Sequence, residues 1–172
     1  MPKLIRIWTG DAKGKTTAAL GTAMRAIGHK KKVIVIQWLK GRKNIGEIKI
    51  SKMLNRYYKI YQFGTKEFVN PAALRSIDYE LAKKGVEFAR RVVKKEKPFL
   101  LILDELALAH SLGLVNIDEI KAILSDVPKD TVVFITGRQA TDELMALADY
   151  VNEIREIKRP KKMPKAIMGI EY

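Results

Sequence analysis

The run Thr9-Gly10-Asp11-Ala12-Lys13-Gly14-Lys15-Thr16-Thr17 carries residue types, at a spacing, that suit polyphosphate chemistry. Glycines at a turn let backbone N–H groups approach an anion, and a helix N-terminus adds its own unpaired donors. Lys15 supplies a mobile positive charge, and Thr16 a hydroxyl able to ligate magnesium. The usual phosphate loop reads G-x-x-x-x-G-K-[ST]. Here only Asp11, Ala12 and Lys13 separate Gly10 from Gly14, so the loop is one residue short. An ordinary kinase or ATPase is therefore not implied automatically. The alternative is a chance Gly-Lys-Thr at a strand–helix turn.

A second group follows the apolar run Phe99-Leu100-Leu101-Ile102-Leu103, which ends in Asp104-Glu105. An apolar strand ending in an acid, downstream of a phosphate loop, is the magnesium side of such sites. Parallel neighbouring strands end on one sheet edge, so their C-terminal loops share a crevice. Asp104 or Glu105 could there face Thr16 across a metal; the alternative is that either acid caps the next helix. The same geometry brings Arg138, after Thr136-Gly137, to that edge, where it neutralises phosphate or is simply a surface arginine. Arg25 reads as an exposed helix residue, and His29 and His110 as structural.

These residues need a scaffold that alternates strand and helix. Leu4–Trp8 reads as a strand before the loop, and Ala18–Arg25 as the helix after it, with Gly28-His29 as its stop. Val33–Trp38, Tyr58–Phe63, Thr131–Thr136 and Val151–Ile157 read as further strands. Lys40–Asn55 holds a turn and a short amphipathic piece, and Gly64–Pro71 a loop. Helical period spans Ala72–Lys97, with Leu74, Ile77, Leu81, Phe88 and Val92 on one side and Gly85 allowing close approach. Asn116 is placed to cap a helix through Leu124, and Thr141–Tyr150 reads as helical. This order predicts an α/β fold: a single P-loop NTPase-like domain over residues 1–172, its mostly parallel sheet covered by helices on both faces. Lys158–Lys165 is basic with two prolines, a loop or tail, and the apolar residues 166–172 are expected to dock on the body.

Composition bounds the class. With 47% apolar residues the chain is globular, and the absence of cysteine excludes disulfides, thiolate metal sites and Cys nucleophiles. No run reaches bilayer-spanning length, and Met1-Pro2-Lys3-Leu4 leads straight into the first strand without a signal peptide, so a soluble cytoplasmic protein is expected. The net charge of +14 attracts nucleotides, nucleic acid or acidic proteins, or it is a solvated lysine-rich surface. Nothing resembles an RNA-binding aromatic motif or a zinc finger, so nucleic acid is not the expected partner.

The shortened loop, Leu103-Asp104-Glu105-Leu106, Thr136-Gly137-Arg138 and the ending Lys165-Ala166-Ile167-Met168-Gly169-Ile170-Glu171-Tyr172 occur in one order. In this the chain resembles the corrinoid adenosyltransferases of cobalamin biosynthesis, over nearly its whole length. The resemblance implies transfer of the 5′-deoxyadenosyl group of ATP to Co(I) of a corrinoid, with release of tripolyphosphate. It implies phosphates threaded through the loop in the reverse sense from ordinary NTPases, with charge carried by Lys13, Lys15, magnesium and Arg138. Lys15, Thr16 and Glu105 become the catalytic set. Thr16 and Glu105, with Asp104 beside them, become the Mg2+ set. Thr9, Gly10, Asp11, Ala12, Lys13, Gly14, Lys15, Thr16, Thr17, Arg25 and Arg138 become the nucleotide-binding set.

Asp11 stands where an Asn contacting the ribose is common, and Arg25 where an arginine lies near the base. Ala12 replaces a common loop glycine, and Phe68 is the only aromatic where a Trp is often found near the corrinoid. Family members often carry an N-terminal extension over the site. The resemblance also implies a reduced flavoprotein as electron donor, and a small domain of this kind suits a homodimer whose copies close over each other's corrinoid sites. A conventional P-loop ATPase or small-molecule kinase, and a nucleotide-binding module associated with nucleic acid, are the alternatives.

Overall fold

A computed structural model describes residues 4–54, 56–162 and 164–172. The expectations resting on Met1–Lys3, Asn55 and Met163 lie outside these residues. Strands β1 (Leu4–Thr9), β2 (Val33–Trp38), β3 (Tyr58–Phe63), β4 (Leu100–Asp104), β5 (Val132–Thr136) and β6 (Tyr150–Glu153) alternate with helices α1 (Lys15–Gly28), α2 (Gly46–Met53), α3 (Ser76–Glu96), α4 (Leu106–Ser111), α5 (Ile117–Asp126) and α6 (Asp142–Met145). The strands form one sheet in the order β3-β2-β4-β5-β1-β6. Every pairing is parallel. This is the P-loop NTPase-like α/β architecture, with all strand C-termini on one edge.

Side-chain alternation along the strands builds two apolar layers. Val33, Val35, Leu100, Ile102 and Phe134 face one side, where Ala19, Ala23 and Ala26 of α1 cover them. Ile34, Ile36, Trp38, Leu101, Leu103, Val133 and Ile135 face the other, under α3, α4 and α5. The central strands β2 and β4 are buried along their entire length, as a sheet covered on both faces requires. Three alanines at helical spacing let α1 lie close on the sheet, which sets the position of its N-terminus beside the loop.

Four elements differ from the sequence reading. Helix α3 begins at Ser76, where the Asp78 carboxylate accepts from the Arg75 backbone N–H at 2.9 Å. Its buried stripe is Ala82, Gly85, Val86, Ala89, Val92 and Val93, with Leu74 and Phe88 only at the margin. The cause is Trp38: fully buried beneath the helix, its indole N–H donates to the Ala82 carbonyl at 3.1 Å and leaves room only for small side chains. Helix α6 is a single turn rather than Thr141–Tyr150, because Asp149 turns the chain into the sheet. Its carboxylate accepts from Ile5 N at 2.7 Å while its own N–H donates to Ile5 O at 2.9 Å. Strand β6 consequently starts at Tyr150 and stops at Glu153. The short helix α4, directly after Glu105, had no counterpart in the sequence reading.

Gly85 marks the tightest helix–sheet contact. A Cβ there would lie 2.7 Å from Trp38 Nε1 and 3.3 Å from Phe63 Cβ. Ala is the better helix former by about 1 kcal/mol, but the clash is with a pinned, buried indole. Gly85→Ala is therefore expected to lower stability by about 1–3 kcal/mol. Urea unfolding checks the sign; a more stable variant would mean that propensity outweighs packing here.

Candidate active site

Strand β1 ends at Thr9, and the chain enters the loop through Gly10 at φ +100 and leaves it through Gly14 at φ +112. Both angles favour glycine. At Gly10 a Cβ would also sit 2.3 Å from the Ile154 carbonyl, just beyond β6. That strand braces the loop: Ile154 N–H donates to Thr9 O at 2.9 Å, and Ala12 N–H to Ile154 O at 3.4 Å. Lys15 opens α1 and folds back, its ammonium donating to the carbonyls of Gly10 and Ala12, each at 2.7 Å. Only 6% of Lys15 is exposed. Burial lowers its pKa, opposed chiefly by the negative charge of Glu105.

Asp104 is the centre of the cluster. It is fully buried at the end of β4, and both of its carboxylate oxygens are occupied. Oδ1 accepts from Thr136 Oγ1 at 2.6 Å and from Thr16 Oγ1 at 2.8 Å. Oδ2 accepts from Lys40 Nζ at 2.7 Å and from Gln37 Nε2 at 3.0 Å. Burial alone would push the carboxyl up. The Lys40 ammonium and the hydrogen bonds from Lys40, Thr136 and Thr16 hold it below the usual carboxylate range. The same pairing works on Lys40, where burial opposes it and Asp104 and Glu105 raise its pKa.

Glu105 behaves in the opposite way. Its backbone is left-handed, φ 59, an uncommon state for a residue with a side chain. Its N–H donates to Thr136 Oγ1 at 3.1 Å. Glu105 Oε2 is buried with no hydrogen-bond partner. Burial, with the neighbouring Asp104 charge, raises its pKa. An orphaned buried carboxylate oxygen on a residue that lines the same cleft as Thr16 suits a hard cation such as Mg2+. Among the described residues no cluster of three or more His, Asp or Glu could hold a metal. Mg2+ at this place would draw its remaining ligands from phosphate and water, as is usual for that ion.

These groups stand at one end of a cleft of about 800 Å3. Ala12 to Thr17, Lys40, Glu105 and Arg138 line its charged end, and Leu20, Met24, Ile27, Ile50 and Leu54 form an apolar wall between α1 and the end of α2. Residues Gly169–Tyr172 also line it, with Glu171 3.5 Å from Lys13 Nζ. The C-terminal segment thus meets the body through the Glu171–Lys13 ion pair, and its apolar residues do not dock as expected: Ile167, Met168 and Ile170 are 56%, 71% and 76% exposed.

The model of the family described as ATP:corrinoid adenosyltransferase BtuR/CobO/CobP matches residues 2–172. The chain belongs to this family. It is 34% identical over 170 residues to a corrinoid adenosyltransferase of Escherichia coli, spanning 98% of this chain and 85% of that protein. It is 33% identical to one from Salmonella typhimurium over the same shares. A Sinorhizobium corrinoid adenosyltransferase is also 33% identical, across 98% of this chain and 80% of its own length.

Within this adenosyltransferase the fold brings together Lys13, Gly14, Lys15, Thr16, Thr17, Glu105 and Arg138 around one cleft, with Ala12 buried in its floor. Thr9 supports from behind, its hydroxyl accepting from Ala140 N–H at 3.2 Å. Asp11 is exposed and does not line the cleft. Arg25 lines a separate cavity of about 300 Å3 with Thr22, His29 and Phe99. Phe68 is 83% exposed beneath the Arg42 guanidinium, 4.4 Å from the ring centroid. His110 is buried, with Nδ1 2.8 Å from Val115 O and Nε2 3.1 Å from Thr141 Oγ1.

Lys40, Gln37 and Thr136 were missed as site residues. The signal for Lys40 was present: it follows β2 by two residues, so it stands on the edge already assigned to Arg138.

The state of Glu105 has a consequence for stability. Its folded-state pKa is raised, so the folded protein binds that proton more readily than the unfolded chain. The associated stability is complete at acid pH and is lost as pH rises through the raised value. Glu105→Gln, which mimics the protonated form, is expected to melt above the wild type at pH 7. The advantage should vanish below about pH 4, where the acid is protonated in both states. Melting curves across pH check this; an unchanged or lower neutral-pH midpoint would contradict it.

Proposed function

We propose that this chain transfers the 5′-deoxyadenosyl group of ATP to the reduced cobalt of a corrinoid substrate, acting as one domain over residues 1–172. The observation that carries this is a short, glycine-cornered loop with Lys15 at the charged end of a cleft whose other wall is apolar. The charged end suits a triphosphate, and the apolar wall suits a large, mostly non-polar partner brought against the nucleoside. The Co(I) lone pair attacks C5′, the C5′–O bond breaks, and its electron pair leaves with tripolyphosphate while cobalt is oxidised to Co(III). Co(I) is itself a strong nucleophile, so the protein's part is alignment and stabilisation of the departing charge.

Lys15 leaves the loop carbonyls for the triphosphate, Lys13 and Arg138 add charge at the rim, and the loop N–H groups hold phosphate oxygens. Thr16 and Glu105 would hold Mg2+, its other ligands coming from phosphate and water, and the ion would supply Lewis-acid stabilisation of the leaving group. Asp104 orients Thr16 through its hydrogen bond and is not a metal ligand itself. Asp11, exposed and outside the cleft lining, would have to turn inward to meet the ribose. Arg25, on the other side of α1, acts at the nucleotide only if the helix face is remodelled. A conventional ATPase or kinase and a nucleic-acid-associated module are disfavoured by the family.

We place the enzyme in the cytoplasm; no described helix is long and apolar enough to cross a membrane. A homodimer would cover the exposed rim, where Met24 and Met53 are 68% and 78% exposed. A reduced flavoprotein supplies the electron, steered by the exposed basic run Lys158, Arg159, Lys161, Lys162 and Lys165.

Chemically reduced corrinoid, ATP and Mg2+ test the reaction by the visible spectrum of the cobalt–carbon product. Lys15→Ala is expected to abolish transfer in a folded protein with a lowered unfolding midpoint, because the buried ammonium donates to the Gly10 and Ala12 carbonyls and its loss leaves them unpaired at a cost of about 1–3 kcal/mol. Near-normal turnover would remove the loop from the mechanism. Raising the ionic strength should slow turnover steeply with an acidic flavoprotein donor and only mildly with a small reductant. Equal losses would assign the salt effect to ATP or corrinoid binding.

A further inference from the structure

The ammonium of Lys40 occupies the space between two groups assigned to the metal side of the site. It donates to Asp104 Oδ2 at 2.7 Å and to Thr16 Oγ1 at 3.1 Å. Its side chain is 29% exposed and lines the cleft, whereas Asp104 is fully buried. Lys40 is thus the boundary between a buried carboxylate and the space where nucleotide would sit.

Its backbone is fixed in place. Leu39 is left-handed, φ 58, and its N–H donates to Phe63 O at 3.0 Å. A Cβ at Gly64 would lie 2.3 Å from Lys40 N, and one at Gly41 2.3 Å from Gly64 O. Two close backbone approaches and one strained leucine hold the exit of β2 against the exit of β3. Such strain is typically retained at functional positions. Only the side chain of Lys40 is free to relocate.

The Thr16 hydroxyl donates its proton to Asp104, so its remaining lone pairs are what both Lys40 and a metal ion would use. Two cations on one hydroxyl repel strongly at such distance. Asp104 keeps three neutral donors, from Thr16, Thr136 and Gln37, when the ammonium leaves. Glu105 and Glu47 also line the cleft and act on the Lys40 charge, and with nucleotide present the cleft adds phosphate oxygens as acceptors of higher charge. We propose that Lys40 is a further triphosphate-binding residue, resting on Thr16 and Asp104 in the free protein and moving to phosphate when Mg2+ and nucleotide arrive. This rests on the phosphate end of the proposed site and not on adenosyl transfer itself.

The test is calorimetric titration of tripolyphosphate, with Mg2+, into wild type and Lys40→Met. The variant is expected to bind roughly tenfold to a hundredfold more weakly, the loss of a charge-assisted hydrogen bond. Mg2+ alone should bind the variant more tightly than wild type, because a competing cation is gone; a residue serving only to brace the fold would not produce that gain. A second arm needs no variant. Amine acylation of the wild-type protein, read by mass spectrometry, should fall at Lys40 on adding tripolyphosphate, with exposed Lys84 on α3 as the internal reference. Tripolyphosphate affinity in Lys40→Met within about twofold of wild type, or Lys40 labelling unchanged at saturation, overturns the proposal. Failure of the wild type to bind tripolyphosphate at all overturns the phosphate site and this inference together.

Discussion

One buried carboxylate organises this molecule. Asp104 accepts hydrogen bonds from Thr16 at the head of α1, Thr136 at the end of β5, Gln37 in β2 and Lys40 just beyond it. A charge buried without partners would neutralise or unfold its surroundings. The four donors therefore have to meet at this point, and their meeting aligns β2, β4, β5 and the loop after β1 on one edge. Breaking such a buried pair from one side typically costs about 3–5 kcal/mol. Asp104 thereby fixes the geometry of the edge, and its depressed pKa makes its contribution present at neutral pH and lost on acidification through the lowered value.

Glu105, one residue on, is the counterpart. It is half-buried, left-handed in its backbone, and carries a buried, orphaned oxygen. The fold tolerates these penalties because the four-way bonding of Asp104 pins the end of β4, and Thr136 accepts the Glu105 N–H. Stability concentrated in one acid thus permits destabilisation of its neighbour, and the destabilised one is left facing the cleft. The two lysines follow a similar division. Lys15 donates to loop carbonyls and Lys40 to Asp104, so the charged end of the cleft is lined by cations that the protein itself pairs.

Much of this was legible in the sequence, because its signals are local. The glycine-bearing loop, the apolar run ending in Asp104-Glu105, and Thr136-Gly137-Arg138 each declare themselves within a few residues. Parallel topology then gathers them on one edge without further information. What was hidden depends on contacts distant in the chain. Lys40 is one of 33 Lys and Arg residues, and its partner lies 64 positions away. The inward face of α3 was misjudged because large apolar residues normally point inward, yet here Trp38 had already filled that space. Helix α6 was cut short by Asp149 bonding to Ile5, across 144 positions. The difference between Asp104, bonded on both oxygens, and Glu105, with one buried oxygen unpaired, became readable only through their hydrogen bonds.

The claim that this site serves adenosyl transfer rather than hydrolysis or kinase chemistry is tested most directly by its inorganic product. Phosphorus-31 NMR of a reaction containing ATP, Mg2+ and Co(I) corrinoid is expected to show intact tripolyphosphate, one per cobalt–carbon bond formed. Formation of ADP with orthophosphate, or tripolyphosphate without a matching adenosylated corrinoid, would contradict it.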